Sequence, residues 1–229
     1  MTLLLAVRDV AKVYRTETVE VHALRGVSFD VARGEFIAVM GPSGCGKTTL
    51  LDVLGALSRP SSGTYEIAGR RVYDLDDAEL ARLRNREIGF VFQTFNLLPR
   101  ATVLQNVELP LVYAGIPPAE RRRRARAVLE RVGLRERLDH RPNELSGGQM
   151  QRAAIARAVV TEPLLVLADE PTGNLDSAAS EEVMRLLAEL HALGNTIVLV
   201  THDRGVAAHA TRRLDMRDGR LAGDQADAG

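Results

Sequence analysis

Three stretches of the chain are continuous apolar runs bounded by polar or glycine-rich segments, the pattern of strands buried on both faces of a parallel sheet. Residues 35–40 run into a glycine-rich turn, residues 164–168 end on two acids, and residues 196–200 end on Thr-His-Asp. Helix signals follow, and each run places polar side chains at the carboxyl end of a buried strand, where open α/β sheets bind ligands. Residues 1 to about 33 and about 63 to 75 alternate and carry glycine turns, predicting an antiparallel layer. Residues from about 97 to 160 read as mainly helical, with a long helix over 120–132. Residues 214–221 alternate around Asp218-Gly219, a two-residue hairpin signal.

At 229 residues and 45% hydrophobic, the chain is long enough for a sizeable core, and it reads as one compact unit. Thirty basic residues balance thirty acidic ones, so no global field draws it to nucleic acid or to an anionic surface. The Arg121-Arg122-Arg123-Arg124 run lacks interleaved aromatics and reads as a solvated helix face. Cys45, the only cysteine, forms no internal disulfide and suits a reducing, cytosolic compartment. The apolar N-terminal run is broken by Arg8, Asp9 and Lys12, which predicts a first strand instead of a signal peptide. No apolar run approaches the ~20 residues that span a bilayer, so any membrane anchor comes from a partner.

The glycine-rich turn is Gly41-Pro42-Ser43-Gly44-Cys45-Gly46-Lys47-Thr48, which fits G-x-x-x-x-G-K-[ST] between a strand and a helix that opens through Thr49. Glycines let backbone N–H groups turn toward a β-phosphate, Lys47 adds positive charge at the β and γ oxygens, and Thr48 offers a hydroxyl to Mg²⁺. Lysine occurs only at Lys12 and Lys47, so the arginine-rich chain keeps one of its two for this position. A bare βα turn is the plain alternative.

Asp169 and Glu170 emerge where a buried strand ends, a costly place for adjacent carboxylates unless a cation or a reacting group uses them. In a Walker-B-type division of labour Asp169 holds Mg²⁺ and Glu170 orients and deprotonates the attacking water; the alternative is that both cap the next turn. His202 follows another buried strand, where its imidazole would sense a γ-phosphate, although a lone histidine is more often structural. His22, His140, His191 and His209 have no such placement.

Leu145-Ser146-Gly147-Gly148-Gln149 opens an amphipathic helix that Ser146 caps, leaving N–H groups and a dipole for an anion. This segment resembles the signature motif of ABC ATPases, and the resemblance extends in order along essentially the whole chain. Tyr14 matches the aromatic that stacks on adenine, residues 41–48 the Walker A loop and Gln93 the Q-loop glutamine. Residues 164–170 match Walker B, residues 173–176 with Asp176 the D-loop, and His202 the switch histidine. Residues 88–99, 109–115 and 171–176 are similar to the macrolide-exporter and lipoprotein-release branch.

The resemblance implies an α/β fold over residues 1–229: a RecA-like P-loop NTPase core, an antiparallel β subdomain and an inserted α-helical subdomain at about 97–160. It also implies Mg²⁺-dependent ATP hydrolysis in an ATP-induced head-to-tail homodimer, with Ser146, Gly147, Gly148 and Gln149 of one copy facing the Walker A loop of the other. Gln93 would join Mg²⁺ to a docking groove beside residues 92–99, and Asp176 would communicate across the dimer. The implied partner is an integral membrane permease with an extracytoplasmic domain, not nucleic acid, which places the chain on the cytoplasmic face of the membrane. An importer subunit, a regulator of cell-wall enzymes during division, a nucleic-acid-directed ABC ATPase and a catalytically silent nucleotide sensor are the competing readings.

Overall fold

The computed structural model describes residues 2–15 and 18–226. In chain order it begins with β1 (Leu3–Arg15), β2 (Glu20–Ala32), β3 (Phe36–Met40), α1 (Lys47–Leu54), β4 (Ser62–Ile67), β5 (Arg70–Arg71), α2 (Asp77–Glu87) and β6 (Ile88–Val91). There follow α3 (Val103–Tyr113), α4 (Pro118–Arg131), α5 (Gly147–Val159), β7 (Leu165–Asp169), α6 (Ser177–Ala192), β8 (Thr196–Thr201), α7 (Arg204–Ala207), β9 (Arg212–Arg217) and β10 (Arg220–Ala226). These form two compact units, Met1–Ala81 with Gly194–Gly229, and Arg82–Leu193.

The first unit holds an antiparallel sheet in the order β2-β1-β4-β5, with the apolar N-terminal run as its strand β1. It also holds the strands β10-β9-β3-β8, in which β3 runs parallel to both β8 and β9. Every residue of β3 and β8 is buried, which is why those segments read as unbroken apolar runs. Strand β8 extends one residue past the predicted run to Thr201, whose hydroxyl accepts from the Asp203 N–H at 3.0 Å. Tyr65 of β4 is buried and donates its hydroxyl to the Leu54 carbonyl at 2.6 Å, tying the end of α1 to the antiparallel layer. The β9–β10 hairpin turns at Asp218 and Gly219 with φ of 49° and 77°, the positive pair a type I′ turn requires.

In the second unit β6 and β7 run parallel and α3 to α6 supply the helical packing. Strand β7 is shifted one residue from the predicted run and includes Asp169, because the parallel ladder with β6 starts at Leu165. The predicted helix at 120–132 is α4, which starts two residues earlier with Pro118 in its first turn. Its arginine run is not uniformly a solvated face. Arg123 and Arg124 bind Glu120, whereas Arg121 and Arg122 lie 3.7 Å from Glu108 of α3, a carboxylate only 8% exposed. The reason is helical period: Arg121 stands one turn before the buried Ala125 and so shares its inward face.

Candidate functional site

In the first unit the strand register sets the site. Met40 of β3 pairs with Thr201 of β8 and with Asp215 of β9, so Gly41 and His202 each stand one residue beyond a shared sheet edge. A cavity of about 410 Å³ there is lined by Met40, Gly41, His202, Arg204, Arg213 and Asp215. No motif in the sequence marks Arg204 or Arg213. Arg213 comes from a strand distant in sequence and only the register brings it in, whereas Arg204, two residues past His202, could have been read from position alone.

The loop of residues 41–48 closes over its own lysine. Lys47 is 8% exposed, and its ammonium donates to the carbonyls of Gly41 at 2.8 Å and Pro42 at 3.0 Å. Gly46 precedes α1 with φ 104°, and a Cβ there would lie 2.4 Å from the Ala23 carbonyl oxygen, so both conformation and space require glycine. Pro42, Ser43, Gly44 and Thr48 are exposed, Thr49 is half-buried, and Cys45 is buried beneath them. This is a positively charged cradle with backbone N–H groups at a helix start, an arrangement suited to a polyphosphate. Tyr14, near the end of β1, is 42% exposed, with the Lys12 ammonium 5.1 Å from its ring centre.

In the second unit the last β6–β7 pair is Val91 with Ala168, so Gln93 and Glu170 stand level, each two residues beyond it. Asp169 ends β7, and Glu170 adopts φ 44°, a conformation that side-chain-bearing residues rarely hold. The Gln93 amide donates to Asn174 Oδ1 at 3.5 Å while Asn174 donates back to the Gln93 carbonyl at 3.0 Å. Ser146 caps α5 as expected: its hydroxyl accepts from the Gln149 N–H at 3.3 Å, and Gln149 Oε1 accepts from the Ser146 N–H at 3.1 Å. Gly147 packs on Leu175 in the loop before α6, and an added Cβ on Gly148 would lie 2.9 Å from that of Ala179 in the first turn of α6. Asp176 caps α6 by accepting from the Ala179 N–H at 2.8 Å.

A family model described as ABC transporter matches residues 24–173, well over half of the chain. An uncharacterized ABC transporter ATP-binding protein of Thermotoga maritima is 55% identical over 94% of this chain and 92% of its own length. The macrolide export ATP-binding/permease protein MacB of Hyphomonas neptunium is 49% identical over 96% of this chain, which spans only 34% of that protein. Among solved structures, a dimeric ATP-binding cassette in a post-hydrolysis state with ADP and Pi superposes with a TM-score of 0.91 at 42% identity, covering 99% of this chain and 100% of that one. That cassette shares the RecA-like P-loop architecture with its added β and helical parts. With a family model over residues 24–173, a relative 55% identical along 94% of the chain and a solved cassette superposing at a TM-score of 0.91, the chain belongs to the ABC transporter ATP-binding family and is an ATPase.

Proposed function

We propose that this chain is the energy-supplying subunit of an exporter or lipoprotein-release machine. It works as a single ABC ATPase domain over residues 1–229 and powers a separate integral membrane permease with an extracytoplasmic domain. The observation that carries the reading is the N-terminus of α5, a 13-residue helix capped by Ser146. A triphosphate bound only at the Lys47 loop is incompletely neutralised, and a second copy packed head to tail supplies the α5 terminus that completes its shell. ATP then holds two subunits together, and loss of the γ-phosphate releases them.

In this reading residues 41–49 wrap the phosphates and Tyr14 stacks on adenine, by analogy with base stacking worth ~1–3 kcal/mol. Ser146, Gly147, Gly148 and Gln149 approach from the partner, and Asp176 communicates across the dimer. Glu170 takes the proton from the attacking water, and His202, on the cavity shared with Gly41, contacts the γ-phosphate. Thr48, Gln93 and Asp169 would hold Mg²⁺, each offering a hard oxygen of the kind that ion takes. When bound, Mg²⁺ would neutralise charge on the phosphates. The macrolide export name of one relative supports the export direction, and none of the described helices is long and apolar enough to cross a membrane.

The test is ATPase activity of the purified chain against protein concentration, with Glu170→Gln as the control and gel filtration in ATP alongside. Superlinear activity in the wild type is expected, with an ATP-dependent dimer in Glu170→Gln. That variant should keep ATP binding and lose ~10²–10⁴ in turnover, as for loss of a general base. Unchanged turnover would remove Glu170 from that role, and activity strictly linear in concentration with a monomer throughout would sink the shared site.

A further inference from the structure

Gln151 lies five residues beyond Ser146 on α5 and is fully buried. Its amide nitrogen donates to the Pro171 carbonyl at 2.6 Å and reaches the Phe92 carbonyl at 3.4 Å. Its Oε1, also buried, has no hydrogen-bond partner among the described residues. The two carbonyls belong to the residues next to Glu170 and Gln93. One nitrogen thus joins the exits of β6 and β7 at the level where the register places Glu170 and Gln93.

The helix that carries Gln151 is itself fixed. A Cβ on Gly89 of β6 would lie 2.3 Å from the Ala158 carbonyl oxygen of α5, so strand and helix meet backbone to backbone at that point. Toward the C-terminal end of α5, Arg157 donates to the carbonyls of Phe95 and Asn96, whose φ of 60° and 49° lie in the left-handed region. Glu170 is also left-handed, and such a conformation persists only where its surroundings over-determine it. The Gly173 N–H donates to the Glu170 carbonyl at 3.0 Å, and Gln151 holds the next carbonyl, that of Pro171.

We propose that Gln151 is a positioning residue for hydrolysis: it sets the separation of the two strand exits, so that Glu170 and Gln93 are presented together to the reacting phosphate. This rests on the roles given above to Glu170 and Gln93. A glutamate at position 151 keeps the shape of the side chain and, when protonated, donates an O–H to the Pro171 carbonyl. Burial among carbonyls disfavours its ionised form. Arg152, the neighbouring cation on α5, pairs with Glu182 of α6, and Glu170 beside Pro171 adds like charge.

The experiment compares the full-length wild type with Gln151→Leu, Gln151→Glu and Glu170→Gln, measuring kcat, KM and ATP affinity across a pH series, with circular dichroism to confirm folding. Gln151→Leu is expected to lose about ten- to a hundredfold in kcat with ATP affinity unchanged, the effect of misplaced reacting groups. Gln151→Glu is expected to approach wild-type kcat at the acid end and to fall progressively behind as pH rises. Wild-type kcat in Gln151→Leu, or a Gln151→Glu to wild-type ratio that is constant with pH, overturns the proposal. If Gln151→Leu fails to fold, the pH profile of Gln151→Glu decides. Wild-type turnover in Glu170→Gln overturns instead the role of Glu170 on which the proposal stands.

Discussion

The ammonium of Lys47 is held by two carbonyls of its own loop, and the loop takes that shape because Gly46 turns left-handed against Ala23. Gly46→Ala therefore combines a strained φ with a backbone clash that no side-chain rotation relieves. We expect it to lower unfolding free energy by about 1–3 kcal/mol, measured by urea titration, and to abolish nucleotide binding measured by calorimetry. This residue was legible in the sequence because the phosphate-loop spacing names it. Gln151 was not legible in that way. Its two carbonyl partners lie 59 and 20 residues away, and nothing local distinguishes it from any glutamine on a helix. Asp176 was placed only by resemblance on a loop that signals between subunits, and its capping of α6 is what the structure adds.

Among the elements, those with strong boundaries were the readable ones. Strands β3, β7 and β8 stood out as apolar runs, the β9–β10 hairpin through its Asp-Gly pair, and α5 through the serine that caps it. Helix α2 passes straight into β6 between Glu87 and Ile88 with no glycine or proline to mark the change, and that junction was not foreseen. Helix α4 carries a pH-dependent element. Glu120, in its first turn, accepts hydrogen bonds from Arg123 and Arg124, which hold its carboxyl down at about 2 from an ordinary 4.5. Because the folded value is the lower one, the stabilising effect is complete above pH 4.5 and fades as pH falls toward 2. An NMR titration of the Glu120 carboxyl should place its midpoint near 2, and Arg123→Ala with Arg124→Ala should move it up toward 4.5.

At the scale of the whole molecule, the first unit is assembled from both ends of the chain, since β8 and β9 flank β3 in parallel on either side. Deleting residues 194–229 exposes both edges of β3, and we expect such a chain to lose ATP binding by calorimetry and to be cleaved by protease within residues 1–81. The same arrangement governs how the protein is made. The phosphate loop leaves the ribosome early, but its strand has neither neighbour until residues 196–217 follow. At synthesis rates of about 5–20 residues per second that interval is roughly 10–30 s. During it the nascent chain holds a Walker A sequence without a Walker A site, and it acquires affinity for ATP only as its last parallel strand is translated.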